Sequence, residues 1–246
     1  MAVTDFWKDK VKSIEQFLKD YPIEEFYKCQ SLVSTMFFGD TGILKKEYAY
    51  LSKIDKWKNA IKNNDTFKKY LHDKSTSGSH IHAGYHLAQF EKYCNKKIED
   101  MDVILEVGCG YGAMAKVCFQ AGFKGTYILL DLPVMSKIQK HYLREYESNC
   151  HFVNELIRIP SAEIYNSLFI STWAASEMPV NYRDEIMDRS LEYSNILLAY
   201  QCFFENMNLE IYFNNFKNNN LQFKWHNMII DVMDSNHRYL FGKKND

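Results

Sequence analysis

Apolar residues in the first hundred positions recur at helical intervals. Phe6, Val11, Ile14, Phe17 and Leu18 predict one helix, and Tyr50, Leu51, Ile54, Trp57 and Ile61 predict another. Between them FFGDTG, at residues 37–42, reads as a turn. The small-residue run DKSTSGSH, at residues 73–80, reads as a loop and as the best place for a hinge. A further amphipathic helix is predicted over residues 81–94.

The rhythm changes at residue 101. Short, almost wholly apolar runs follow: VILEVG at 103–108, TYILLD at 126–131, CHFVN at 150–154, LFISTW at 168–173 and NILLAYQCF at 195–203. Near-continuous apolar strands are expected of a parallel sheet covered on both faces. Helical stretches at 112–121, 133–146 and 180–193 alternate with most of them, so the prediction is an α/β fold with a doubly wound sheet. Pro133 and Pro179 fall where the first turn of a helix tolerates proline. Only a short connection separates the third and fourth strands. At the end, FKWHNMIIDV and HRYLFGKK are strand-like runs joined by MDSN, the signal of an antiparallel hairpin. The expected organisation is an N-terminal helical cap over residues 1–95 and a sheet domain over residues 96–246 that ends in that hairpin.

Composition narrows the picture. The chain has 246 residues, 46% of them hydrophobic, enough to bury a core. Its formal net charge is −1, which removes the broad electrostatic argument for a nucleic-acid partner. No apolar run approaches the ~20 residues of a membrane span. The first twenty residues mix charge with apolar positions and lack the apolar core of a secretion signal. The six cysteines are scattered, without a C-x-x-C pair or zinc spacing, so a reducing cytoplasm is the expected location and no metal is expected. Nothing in this bears on oligomeric state.

The candidate chemistry starts at LEVGCGYGAMAK, residues 105–116, where glycines at 108, 110 and 112 follow a strand and open a helix. The dinucleotide fingerprint is G-x-G-x-x-G, with a helix N-terminus facing a pyrophosphate. Here the spacing is G-x-G-x-G, and Glu106 precedes it by two positions. Glycine allows positive φ and lets a ligand approach the backbone. A carboxylate beside a pyrophosphate would repel it. S-adenosylmethionine has no phosphate and carries an ammonium and a sulfonium, so Glu106 suits its methionine end. That disfavours a nicotinamide-dependent oxidoreductase. Asp131, at the end of the second strand, is placed to accept hydrogen bonds from both ribose hydroxyls, with Leu132 beside it. After the third strand Asn154 is a candidate for the adenine edge, with Glu155 its rival. Cys109 within the turn and Thr172 at the end of the fourth strand complete the expected cofactor set. No partnered base accompanies Cys109, so it is read as a small packing residue and not as a nucleophile.

On these residues the chain resembles the class I S-adenosylmethionine-dependent methyltransferases: LEVGCGYGAMAK looks like their first motif and YILLDLP like their second. The resemblance covers residues from about 101 to 246 and implies a Rossmann-like sheet, whose terminal hairpin it also explains. Within that class, LEVGCGYG, DLPVM followed by QKHYL, and STWAASEMP resemble a bacterial sugar O-methyltransferase group. This resemblance implies methyl transfer to a hydroxyl of a sugar or a related precursor of a surface glycan; a sugar hydroxyl is the preferred acceptor, with a nucleotide-linked or phosphoryl-linked one left open. The alternative of another class is a non-catalytic module that binds S-adenosylmethionine or S-adenosylhomocysteine for a partner enzyme.

The acceptor side is expected beyond the carboxyl ends of the strands. STWAASEMP leaves the fourth strand there, and Glu177 is the first candidate for a general base or an acceptor-orienting carboxylate; its bland reading is a carboxylate favoured near the start of the next helix. SHIHAGYH brings His80, His82 and His86, of which 82 and 86 share one helix face. A histidine base suits this chemistry, two histidines at this spacing can also bind zinc, and plain surface or capping histidines are the bland reading. Tyr85 and His226 are weaker candidates, and His237 reads as a structural residue at the hairpin turn. Lys137, Lys140, His141 and Arg144 read as a solvated helix face.

Overall fold

The computed structural model describes residues 4–39, 41–63, 69–70, 72–156 and 166–245, with Thr41 described through its backbone alone. Seven strands build the central sheet: β1 Val103–Val107, β2 Thr126–Leu130, β3 Cys150–Val153, β4 Ser167–Thr172, β5 Asn195–Gln201, β6 Phe223–Ile229 and β7 His237–Lys244. Their spatial order is β3-β2-β1-β4-β5-β7-β6. The first five run parallel, and β7 inserts antiparallel between β5 and β6. The predicted doubly wound sheet with a terminal hairpin is what the chain forms.

The apolar runs form central strands because both faces are covered. Alternate residues of β1 enter different cores: Ile104 joins one buried cluster, and Leu105 and Val107 join the other. The first cluster takes in the N-terminal helices α1 Asp5–Asp20, α2 Gln30–Met36, α3 Thr41–Leu51, α4 Asp55–Ala60 and α5 Gly78–Cys94, together with α6 Ala113–Gln120 and α7 Pro133–Tyr142. The second takes in α8 Ala174–Glu177, α9 Val180–Ser190 and α10 Leu209–Asn219. The N-terminal helices thus share a core with one sheet face. Among the described residues no helix is long and apolar enough to cross a membrane.

Several local expectations are corrected. Residues 73–80 are not a hinge loop: Asp73–Ser77 is a strand paired with Lys69–Tyr70, and α5 begins at Gly78. Ser77 caps that helix, its hydroxyl accepting from the His80 N–H. Gly78 is pressed against the preceding segment, since a Cβ there would stand 2.1 Å from the Phe38 carbonyl oxygen. The helix is buried along most of its length instead of amphipathic, because α3 packs against it on one side and α6 and β7 on others. The helix spanning Tyr50 to Ile61 is two helices, broken between Leu51 and Asp55. The predicted helix at 133–146 ends at Tyr142, where the chain turns to bury Leu143 under the glycine turn, and a 3-10 turn follows over Arg144–Asn149. Pro133 opens α7, whereas Pro179 stands just before α9. The link between the third and fourth strands includes residues 157–165, outside the described residues. Helices α8 and α10 had no counterpart in the sequence reading; α10 is capped by Asn208, whose side chain accepts from the Ile211 N–H at 3.1 Å.

Candidate active site

A cavity of about 590 Å³ opens at the carboxyl ends of β1, β2 and β4. That is an ordinary size for a small-molecule site. Its floor is the turn after β1, Asp131 and Leu132 after β2, and Thr172, Trp173 and Ala174 after β4. Its roof comes from the N-terminal helices: Trp7, Val11 and Ile14 of α1, residues 34–39, and Ser79, His82, Ala83 and His86 of α5.

The glycine turn is shaped by backbone conformations that side chains disfavour. Gly108, Gly110 and Gly112 have φ of 74°, 56° and 99°. A Cβ on Gly108 would lie 2.1 Å from the Ala174 Cβ, so the turn and the start of α8 touch through this glycine. Gly108, Cys109 and Gly110 line the cavity; Gly112 instead packs over Leu143 as the residue before α6. Cys109 donates its thiol hydrogen to the Glu106 carbonyl at 3.0 Å. Burial first, then the neighbouring Glu106 and Asp131, pushes that thiol well above its usual pKa, the opposite of a nucleophile's environment.

Both expected acids are present and buried. Glu106 is 3% exposed and accepts from the Tyr127 hydroxyl at 2.8 Å. Burial pushes its pKa up to about 8, with the Tyr127 bond opposing. Asp131 accepts from the N–H of Leu132 at 2.7 Å and of Gly110 at 2.9 Å, and from the Gln139 amide at 3.3 Å. Burial still raises it to about 7 against those bonds. Two buried carboxyls, raised to about 8 and about 7, share one cavity, where a cationic ligand rich in donors would favour their ionised forms.

On the roof side, His82 and His86 meet through their Nε2 atoms at 3.1 Å. His82 Nδ1 bonds Glu47 at 2.7 Å, and His86 Nδ1 bonds the Tyr239 hydroxyl. Phe38 and Trp173 both stack on the His82 ring, at centroid distances of 3.8 Å and 5.3 Å. Trp173 adopts φ 62° and ψ −32°, a conformation rare for a side chain this large, and local strain of this kind gathers at functional sites. Glu177, the last residue of α8, accepts from the Trp7 indole N–H at 3.0 Å. Burial raises its pKa, with the bonds to Trp7 and Gln201 opposing.

Of the nine expected cofactor residues and the four leading catalytic candidates, ten line this cavity: Glu106, Gly108, Cys109, Gly110, Asp131, Leu132, Thr172, Glu177, His82 and His86. Gly112, Asn154 and His80 do not. Asn154 donates to the Asp131 carbonyl at 2.9 Å and to the Ser136 hydroxyl at 2.6 Å, which ties the end of β3 to β2 and α7. His80 is fully buried against the Tyr142 hydroxyl at 2.8 Å. Tyr85 bonds Asp231, and His226 sits beside Tyr93 on β6, whereas His237 does line the cavity. Trp7, Phe38, Glu47, Trp173 and Tyr239 were not anticipated. Each owes its place to a partner distant in the chain, so no local pattern marks it.

No family profile and no curated protein matches the sequence. Among solved structures, the methyltransferase domain of bacterial CtHen1 is similar, at 10% identity, with 66% of this chain and 97% of that one covered and a TM-score of 0.51. Magnesium protoporphyrin IX methyltransferase ChlM from Synechocystis PCC 6803, solved with bound S-adenosylmethionine, is 13% identical over 84% of this chain and 98% of its own, with a TM-score of 0.50. The chain spans 56% of the mitomycin 7-O-methyltransferase MmcR, over 68% of its own length, at 10% identity and a TM-score of 0.44. At these identities the likeness is one of fold. The chain has the Rossmann-like α/β fold of the methyltransferases.

Proposed function

We propose that this protein is an S-adenosylmethionine-dependent methyltransferase that O-methylates a sugar or a related small polar precursor of a bacterial surface glycan. The observation that carries the reading is one cavity holding the glycine turn, two buried carboxyls and, opposite them, a histidine pair and a third carboxyl. The fold it shares with ChlM, which holds that cofactor, supports the cofactor assignment. The resemblance of STWAASEMP to the sugar O-methyltransferases supports the acceptor class.

The residues present fit S-adenosylmethionine. Glu106 would meet its ammonium and Asp131 its ribose hydroxyls, while Gly108 and Gly110 let it lie against bare backbone. Leu132 would pack on its adenosine part, and Cys109 and Thr172 would close the floor. Gly112 and Asn154 shape this frame from behind. When bound, the cofactor supplies a methyl group already activated on a sulfonium. The protein's task is then placement: holding the acceptor oxygen ~3–3.5 Å from that carbon, in line with the sulfur. Trp7, Phe38 and Trp173 keep water from the centre. Glu177 orients the acceptor hydroxyl, and the histidine pair receives its proton. We place the reaction in the cytoplasm, where the six free, buried thiols stay reduced.

The test is label transfer from methyl-labelled S-adenosylmethionine to free monosaccharides, methyl glycosides and nucleotide sugars. Wild type transfers label to at least one of these. Glu177→Ala and His82→Ala lower kcat, the histidine variant by about 10²–10⁴-fold as expected for a lost base, with S-adenosylhomocysteine affinity kept. Asp131→Ala weakens that affinity more than either. A protein that takes up the cofactor and transfers nothing is a binding module, and one that binds NADH instead overturns the assignment altogether.

A further inference from the structure

His82 and His86 lie one turn apart on α5, and each has its second ring nitrogen anchored by a different element. Glu47 of α3 holds His82 Nδ1, and Tyr239 of β7 holds His86 Nδ1. Glu47 is fully buried, and its other oxygen, Oε2, has no hydrogen-bond partner among the described residues. Burial, and the nearby Glu47, Tyr85 and Asp231, push the Tyr239 hydroxyl well above its usual pKa, so it keeps its proton and donates it to His86 Nδ1. His86 then carries its hydrogen on Nε2 and donates to His82 Nε2. His82 in turn carries its hydrogen on Nδ1 and donates to Glu47. The reverse order needs a protonated Glu47 and leaves the Tyr239 hydrogen without an acceptor among the described residues. One direction, Tyr239 to His86 to His82 to Glu47, satisfies every polar hydrogen of the chain.

We propose that these four residues form a single proton relay that makes His82 Nε2 the base for the acceptor hydroxyl, with Glu47 and Tyr239 as positioning residues. The inference rests on the methyltransferase reading. The acceptor hydroxyl enters between the two Nε2 atoms, its oxygen accepting from His86 Nε2–H and its O–H donating to His82 Nε2, so the chain from Tyr239 to Glu47 stays continuous. As that oxygen bonds the methyl carbon, the carbon–sulfur bond breaks, its electron pair stays on sulfur, and the O–H proton passes to His82 Nε2. The imidazolium so formed lies against the Glu47 carboxylate, which also fixes the ring tautomer. Burial, then the charge on His82, holds His86 well below the usual histidine range, so it stays neutral through the step. The other ionisable groups nearby are Asp231 and Tyr85, bonded to each other at 2.7 Å, and Glu177 and His237, which line the same cavity.

Two measurements test the relay. In the transfer assay, Glu47→Gln and Tyr239→Phe are expected to lower kcat about tenfold or more, with the acceptor KM and S-adenosylhomocysteine affinity within roughly twofold of wild type. The acid limb of the Glu47→Gln kcat profile moves to lower pH, because the imidazolium has lost its carboxylate, a change that mere loosening of the fold does not produce. Unchanged kcat in both variants overturns the relay while leaving the methyltransferase reading intact. Label transfer abolished by a chelator and restored by zinc also overturns it, since the two Nε2 atoms would then be metal ligands. The second measurement is nitrogen-15 NMR of histidine-labelled wild type, which needs neither a variant nor an acceptor. It should find the hydrogen of His82 on Nδ1 and that of His86 on Nε2. The opposite tautomers overturn the relay even if transfer is observed. A wild type that transfers no label anywhere sinks the methyltransferase reading, and with it the catalytic role assigned here.

Discussion

An added methyl group at position 108 would stand 2.1 Å from the Ala174 Cβ, on a backbone whose φ is already 74°. Gly108→Ala is therefore expected to cost about 2 kcal/mol or more and to abolish S-adenosylhomocysteine binding, as read by thermal melting and calorimetry. An alanine variant that melts and binds like wild type would show that the turn tolerates a side chain. The residue scale is also where the sequence was most legible. Glu106, Asp131 and Glu177 sit at or just beyond the ends of apolar runs, and strand ends are where this sheet opens. Asn154 follows a run of the same kind, yet its side chain braces the Asp131 carbonyl and Ser136. Its position was readable and its orientation was not, because a rotamer is decided by neighbours that only packing supplies.

Helix α1 is the element whose role the sequence concealed. Its apolar stripe predicts a helix face, and the structure shows that Val11 and Ile14 of that face, with Trp7 outside the predicted stripe, roof the cavity. Trp7 links α1 to α8 through the bond to Glu177 at 3.0 Å, across 170 positions of the chain. Trp7→Phe keeps an aromatic ring and removes the donor. Its expected effect is a several-fold rise in acceptor KM with S-adenosylhomocysteine affinity unchanged; loss of cofactor affinity instead would mean that α1 serves the cofactor side. Helix α8 had no counterpart in the reading for a different reason. It is four residues long, too short for a hydrophobic period to register. The hinge expected at residues 73–80 fails because Ser77 there caps α5 and Gly78 makes a close contact with the Phe38 carbonyl, so small residues do not mark a loose loop.

At the scale of the whole molecule, the raised carboxyls couple the site to stability. Glu106 titrates at about 8 against an ordinary 4.5, and Asp131 at about 7 against 3.8. The folded state therefore binds more protons than the unfolded chain between these values, and stability falls as pH rises through that window. Without ligand, the melting temperature is expected to be higher at about pH 5.5 than at about pH 8, and saturating S-adenosylmethionine is expected to narrow the difference by favouring the ionised acids. Melting curves that are flat over this range, with and without ligand, would remove the two acids from the binding site. By itself, the sequence determined the sheet, its terminal hairpin, the glycine turn and the acids at the strand ends. These depend on local hydrophobic period, on backbone conformations reserved to glycine, and on where a strand stops. Only the tertiary structure decided which residues stand behind the histidines that line the cavity with the acids. Glu47, His82 and Tyr239 lie far apart along the chain, and their meeting follows from α3, α5 and β7 burying apolar surface against one another, which no short stretch of sequence records.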